Sequence, residues 1–229
     1  MTNYRPICDQ WILARSKLKR DEAGNKQTYY GAYPNGFLHR AREVLGISTL
    51  DPLLHVCGGM VRAYPVRGLG PHDKTVDLDP SVRPDYVMDV REDLPHCPYD
   101  PDGWPAILAD PPYTEADAEH YLGGTGHTVF PQPNALLRLM LDRVRPGGRV
   151  GMLHYFWPRP PSKPIPALHR GVPYLAKIRL VAAVGVLVGY GNRIRLLSVY
   201  EKEAPVCDIP NPGRVCEVRR GVFVIEEAS

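Results

Sequence analysis

Asp110-Pro111-Pro112-Tyr113 puts a carboxylate, two prolines and an aromatic ring into four consecutive residues. Proline has no backbone N–H, so the Asp110 side chain and the Pro111 carbonyl offer acceptors only, with the Tyr113 ring beside them. Acceptors next to a stacking face suit a planar group carrying an exocyclic NH2, such as adenine or cytosine. The four residues close an apolar run, Trp104 to Ala109, that reads as a short buried strand. The prolines stop that strand, because neither can donate a ladder hydrogen bond. A chain with 25 prolines offers many proline-rich turns, so the chemistry rests on what else reaches this place.

Three other strand-like pieces supply matching groups. Leu53-Leu54-His55-Val56-Cys57 predicts a buried strand that ends at Gly58-Gly59, and glycines at such a turn let the backbone approach a ligand closely. Val76-Asp77-Leu78-Asp79 predicts a second strand, with its carboxylate about 20 residues beyond the glycines, where nucleotide-binding folds place a ribose-hydroxyl acceptor. Alternation and the following Pro80 favour Asp79 over Asp77 for the strand tip. Tyr86 to Val90 predicts a third, carrying Asp89. Carboxylates at three successive strand ends, Asp79, Asp89 and Asp110, are hard to obtain as surface decoration.

Asp110-Pro111-Pro112-Tyr113 resembles the catalytic motif of the S-adenosylmethionine-dependent amino-methyltransferases that act on adenine or cytosine in DNA. The resemblance covers residues 30 to 202. It implies a doubly wound, Rossmann-like α/β sheet, mostly parallel with an antiparallel edge strand, and S-adenosyl-L-methionine as cofactor. It also implies direct transfer: Asp110 and the Pro111 carbonyl hold the target amine, Pro112 and Tyr113 complete the motif, and the ring stacks on the base. Cys57, Gly58 and Gly59 then stand at the cofactor turn, and Asp89 matches the position that binds the cofactor's adenine amine. The turn departs from the family pattern, because its glycines are adjacent and residue 61 is not glycine.

The elements that must position these groups can be read on either side. Phe37, Leu38, Ala41, Val44 and Leu45 are spaced for one face of a short helix, and Thr114 to Tyr121 starts like another. A glycine-rich segment, 122–127, lacks the Lys and Ser/Thr of a Walker loop. A helix from about Pro133 to Val144 is expected to end at Arg145-Pro146-Gly147-Gly148, before a strand from Arg149 to His154. Ala176–Val188 and Arg193–Glu201 flank Gly189-Tyr190-Gly191-Asn192, a hairpin signal. The expected organisation is a basic, partly ordered arm at 1–30, a methyltransferase domain at 31–203, and a tail at 204–229 with a short strand.

Composition narrows the partner. From Lys74 to His120 acids dominate, whereas from Arg143 to Tyr200 there is no acidic residue. A basic half suits a polyanion, and with the base-directed motif this points to nucleic acid, DNA in the first place. Tyr155-Phe156-Trp157 would lie at a strand end and suit base stacking, so Tyr155, Trp157, Arg159, Lys163 and Arg170 are the expected nucleic-acid contacts. No insertion is long enough for a separate target-recognition domain. Specificity is then loose, or the substrate is single-stranded or displayed by a partner protein. A guanine amine in ribosomal RNA, a protein glutamine amide and a non-catalytic nucleic-acid-binding module are the competing readings. Transfer to a cytosine carbon is disfavoured, since the fourth strand is not followed by Pro-Cys and Cys97 comes too early. Five cysteines without a CxxC pair favour neither a disulfide framework nor a metal site. No apolar run spans a bilayer and no signal peptide is evident, so a cytoplasmic protein is expected.

Overall fold

The computed structural model describes residues 5–13, 33–62, 69–121, 130–188, 194–205, 216–219 and 222–225. Its centre is an eight-stranded sheet. In chain order the elements are β1 (Ile7–Leu13), α1 (Phe37–Leu45), β2 (Leu53–Val56), β3 (Lys74–Asp77), β4 (Tyr86–Val87), β5 (Trp104–Ala109), α2 (Glu115–Tyr121), α3 (Pro133–Arg143), β6 (Val144–His154), β7 (Ile165–His169), β8 (Val172–Ala176), β9 (Ile178–Val188), β10 (Arg195–Lys202), β11 (Cys216–Arg219) and β12 (Val222–Ile225). The large sheet runs β1-β9-β10-β6-β5-β2-β3-β4.

β4, β3, β2, β5 and β6 are mutually parallel, and the antiparallel pairings gather at the other end, where β10 lies between β6 and β9. This is the doubly wound, mostly parallel α/β sheet that the sequence suggested. The chain leaves β2 toward β3 on one side and later enters β5 on the other side, so the order reverses between β2 and β5. Ligands of open α/β sheets bind at such a switch point, beyond the carboxyl ends of the strands. The C-terminal ends of β2 and β5 are the glycine turn and Asp110, and the Asp110 N–H donates to the Val56 carbonyl at 3.2 Å.

Alternation along buried strands feeds two cores. Leu53, Ala106, Leu108 and Leu153 face α1, which contributes Phe37, Leu38, Ala41 and Leu45. Leu54, Val56, Ile107, Ala109, Val150 and Met152 face the side of α3, which contributes Leu136, Leu137, Met140 and Leu141. Neighbouring residues on one strand serve opposite layers because strand side chains have period two. With both faces covered, β5 reads as a continuous apolar run and β2 does so apart from His55.

Two departures from expectation bear on the large sheet. Residues 7–13, taken from sequence as part of an arm, form β1, which adds in parallel to β9 at the sheet edge. Its burial is concentrated at Trp11 and Leu13, too little apolar pattern to announce a strand. The basic cluster that follows, at 15–20, lies outside the described residues, as do the glycine-rich segment 122–127 and the hairpin turn 189–192. The Pro-Gly-Gly turn does not precede the fifth parallel strand but is folded into it. Val144 pairs with Trp104, residues 145–148 bulge out, and pairing resumes at Arg149 opposite Ala106. Gly148 fits this bulge because a Cβ there would lie 2.8 Å from the Pro105 carbonyl oxygen.

Candidate active site at the carboxyl edge of the sheet

After β2 the backbone turns sharply. Cys57 has φ +53°, a value few side chains adopt, and Gly59 has φ +50° at the start of a short 3-10 turn ending at Arg62. Gly58 packs closely on the strand it leaves, since a Cβ there would sit 3.1 Å from the His55 Cβ. The turn is fixed from the side by β3: the Cys57 N–H donates to the Val76 carbonyl at 2.9 Å, and the Gly59 N–H donates to Asp77 Oδ2 at 2.9 Å. Asp77 is thus the carboxylate held against the glycines. It also accepts the Asp79 N–H at 3.1 Å, and burial pushes its carboxyl up while these two hydrogen bonds restrain it.

Asp79, favoured from sequence, has different partners. Its two oxygens accept the Ser81 N–H at 2.8 Å and the Ser81 hydroxyl at 2.7 Å, so it caps the 3-10 turn Pro80–Val82. Asp89 follows β4 and forms a fork with Arg91 at 2.5–3.0 Å. Asp77, Asp110 and Asp89 all act on Cys57: burial first, then the field of these three carboxylates in that order, holds its thiol well above the usual range. Four successive strand ends therefore converge around the glycine turn, as sequence spacing alone could only suggest.

Asp110 stands at the end of β5 with 12% of its side chain exposed. Pro111 behind it is buried, whereas Pro112 and Tyr113 are half-buried. The Tyr113 hydroxyl donates to Asp110 Oδ1. Arg195, the first residue of β10, donates from Nη1 to the Tyr113 hydroxyl at 3.1 Å and lies 3.6 Å from Asp110 Oδ2. Burial raises the Asp110 carboxyl; the Arg195 charge and the Tyr113 hydrogen bond pull it back. The Tyr113 ring meets His154 edge-on at 5.1 Å and Tyr155 at 4.4 Å. His154 accepts the Phe156 N–H at Nδ1, at 2.9 Å, and its buried Nε2 has no hydrogen-bond partner among the described residues. Burial lowers its pKa to about 4, so the ring is neutral at physiological pH.

Beneath the turn runs a buried polar chain that sequence reasoning did not single out. Arg42 clasps both oxygens of Asp73 at 2.5 and 2.6 Å, Asp73 Oδ2 lies 3.1 Å from His55 Nε2, and His55 Nδ1 lies 3.3 Å from the Tyr33 hydroxyl. Such a chain is tolerable in a core because each charge is paired and hydrogen-bonded. It ties α1, β2 and the entry to β3 into one body below the site.

The expected nucleic-acid contacts are only partly brought together. Tyr155 touches the motif through Tyr113, and Phe156 and Trp157 follow it, 67% and 51% exposed. Trp157 is anchored: its indole N–H donates to the Tyr200 hydroxyl at 2.7 Å, which donates to the Pro158 carbonyl at 2.6 Å. Arg159 and Lys163 are exposed in the loop that follows. Arg170 sits instead at the β7–β8 turn, its N–H on Asp102 Oδ1 at 3.1 Å. Asp102 precedes β5, so Arg170 lies at the opposite edge, about 20 Å away at the rise of a six-residue strand. Much of the basic half is also neutralised. Arg143 pairs with Asp93, Arg145 with Asp100, and Arg149 and Arg179 with Glu201. Among the described residues no cluster of His, Cys, Asp and Glu could hold a metal, and no helix is long and apolar enough to cross a membrane.

No protein-family model and no curated protein matches the sequence. Solved structures do align with the chain. TrmN from Thermus thermophilus is 19% identical over 76% of this chain and 50% of that one, with a TM-score of 0.42. An rRNA methylase from Streptococcus thermophilus is 15% identical over 72% of this chain and 96% of that one, with a TM-score of 0.38. CalS10, an amino pentose methyltransferase from Micromonospora echinaspora with SAM bound, is 18% identical over 74% and 75%, with a TM-score of 0.31. This chain spans half the length of the Thermus thermophilus protein. The fold assignment itself rests on the strand order.

Proposed function

We propose that this chain is an S-adenosylmethionine-dependent methyltransferase that methylates the exocyclic amine of adenine or cytosine in DNA. The observation carrying this reading is the convergence at the switch point of the glycine turn, the carboxylates after β3 and β4, and Asp110-Pro111-Pro112-Tyr113 after β5. The acceptors suit the cofactor: Asp77 and Asp89 lie beside the glycine turn, placed to accept from ribose hydroxyls and an adenine amine. When bound, the cofactor supplies an electrophilic methyl group on a sulfonium.

The chain's own residues then orient the amine. Asp110 Oδ2, the oxygen that Tyr113 leaves open, and the Pro111 carbonyl accept its two N–H bonds. Holding both hydrogens in this way draws the nitrogen lone pair out of conjugation with the base and aims it away from the acceptors. Oδ2 is also the nearest acceptor for the proton shed by the methylated nitrogen. Tyr155, Phe156 and Trp157 border the motif as a stacking face, with Arg159 and Lys163 beyond them for phosphates. A duplex base must be flipped out to reach Asp110, so single-stranded DNA or a strand opened by a partner protein is the easier substrate.

Calorimetric titration with S-adenosylmethionine and S-adenosylhomocysteine tests the cofactor, and transfer of labelled methyl to DNA and then RNA tests the substrate. Micromolar binding and label in DNA are expected. Label in RNA alone would move the substrate, and a folded protein that binds neither compound would end the enzymatic reading.

A further inference from the structure

We propose that Arg195 is a positioning residue of this site, setting the charge and the aim of Asp110 through a three-membered array with Tyr113. The inference rests on the amine-transfer reading above for its purpose, but the array is a feature of the fold. Arg195 is brought here by the one strand that runs against the others. Parallel strands deliver their C-terminal ends to this edge, whereas β10 delivers its first residue, with Leu196 paired opposite His154. One guanidinium group thereby reaches two acceptors: the Tyr113 hydroxyl at 3.1 Å and Asp110 Oδ2 at 3.6 Å.

The neighbours of Asp110 show why a cation is needed there. Tyr113 faces it from its own loop, Cys57 from the turn after β2, Tyr33 from the segment before α1, and Arg195 from β10. Tyr33 is buried and Cys57 half-buried, and both are pushed further toward their neutral forms. Among the described residues Arg195 is therefore the cation that offsets the burial of Asp110, whose own tendency is to take up a proton. A protonated Asp110 would be a donor at Oδ2 and would lose its grip on an amine. The planar fork also turns the Tyr113 hydroxyl toward Oδ1, leaving Oδ2 for the substrate. Arg195 has no other hydrogen bond among the described residues and is 20% exposed, so its remaining N–H groups can reach a substrate acceptor beside the amine.

The test titrates Asp110 directly, by carboxyl-carbon NMR of the full chain without added ligand, with Asp110→Asn assigning the signal. Arg195→Met and Arg195→Lys are compared with the unaltered protein, alongside thermal melting and S-adenosylhomocysteine calorimetry. Removing an opposite charge at this distance is expected to raise the Asp110 midpoint by about 1–3 pH units in Arg195→Met, with Arg195→Lys in between. Binding of S-adenosylhomocysteine should stay within about threefold, since Arg195 is not placed among the cofactor groups. An Asp110 midpoint unchanged in Arg195→Met would overturn the proposal. If that variant does not fold, a midpoint unchanged in Arg195→Lys would overturn it instead. Failure of the underlying reading looks different: the unaltered protein would bind no S-adenosylhomocysteine while Asp110 still responded to Arg195.

Discussion

Asp77→Asn, set against Asp79→Ala, separates two carboxylates two residues apart and tests where the cofactor sits. Asp77 accepts the Gly59 N–H at 2.9 Å and the Asp79 N–H at 3.1 Å, which hold it beside the glycine turn. Asparagine keeps one acceptor oxygen for that turn but removes the charge. A hydrogen bond to an ionised group contributes about 1.5–3 kcal/mol against about 1 kcal/mol for a neutral pair. For two ribose hydroxyls the loss is about 2 kcal/mol, or about 30-fold in Kd. Asp79 is held on Ser81 at the following 3-10 turn and not on the glycine turn, so Asp79→Ala should leave Kd within about threefold and instead cost about 0.5–2 kcal/mol of stability as a lost cap. The assay is calorimetric titration of both variants with S-adenosylhomocysteine, paired with urea unfolding. If Asp79→Ala weakens binding more than Asp77→Asn, the cofactor has been placed against the wrong carboxylate.

Four further outcomes are expected. Asp110→Ala should abolish methyl transfer while S-adenosylhomocysteine binding stays within about threefold; a variant with normal turnover would sink the direct-transfer mechanism. Asp73→Ala strands the buried Arg42 and His55 and should cost about 3–5 kcal/mol in urea unfolding, whereas a loss below about 1 kcal/mol would show that the chain does not act as a unit. His154 titrates at about 4 when folded against 6.5 when unfolded, so as pH falls the unfolded chain takes up the proton first. Its stability contribution is therefore intact above pH 7 and declines from about 6.5 toward 4, by about 2 kcal/mol between pH 7 and 5. His154→Asn, which retains an acceptor for the Phe156 N–H, should flatten that slope, and an unchanged slope would refute the assignment. Phe156→Ala should weaken single-stranded DNA binding about tenfold through lost stacking while Arg170→Ala, at the far edge, leaves it unchanged; equal effects would mean that DNA lies elsewhere.

The sequence by itself determined the buried strands at the centre of the sheet. Apolar runs such as Leu53–Val56 and Trp104–Ala109 have one stable destiny, a sheet covered on both faces, and glycines, prolines and acids at their ends mark where backbone and carboxylates leave it. Local chemistry therefore sufficed for the doubly wound class and for placing Asp110-Pro111-Pro112-Tyr113 at the end of a buried strand. Which of Asp77 and Asp79 is held against the glycine turn did not follow, because it depends on which oxygen meets the Gly59 N–H across the β2–β3 pair. Arg195 read as one of many basic residues, and only the reversal of β10 sets it beside a motif 82 residues earlier. The same long-range pairing carried Arg170 away from the site and matched several arginines of the basic half to distant acids. Side-chain type and spacing follow the chain, whereas partners follow sheet register, which the sequence encodes only through the burial of the whole core.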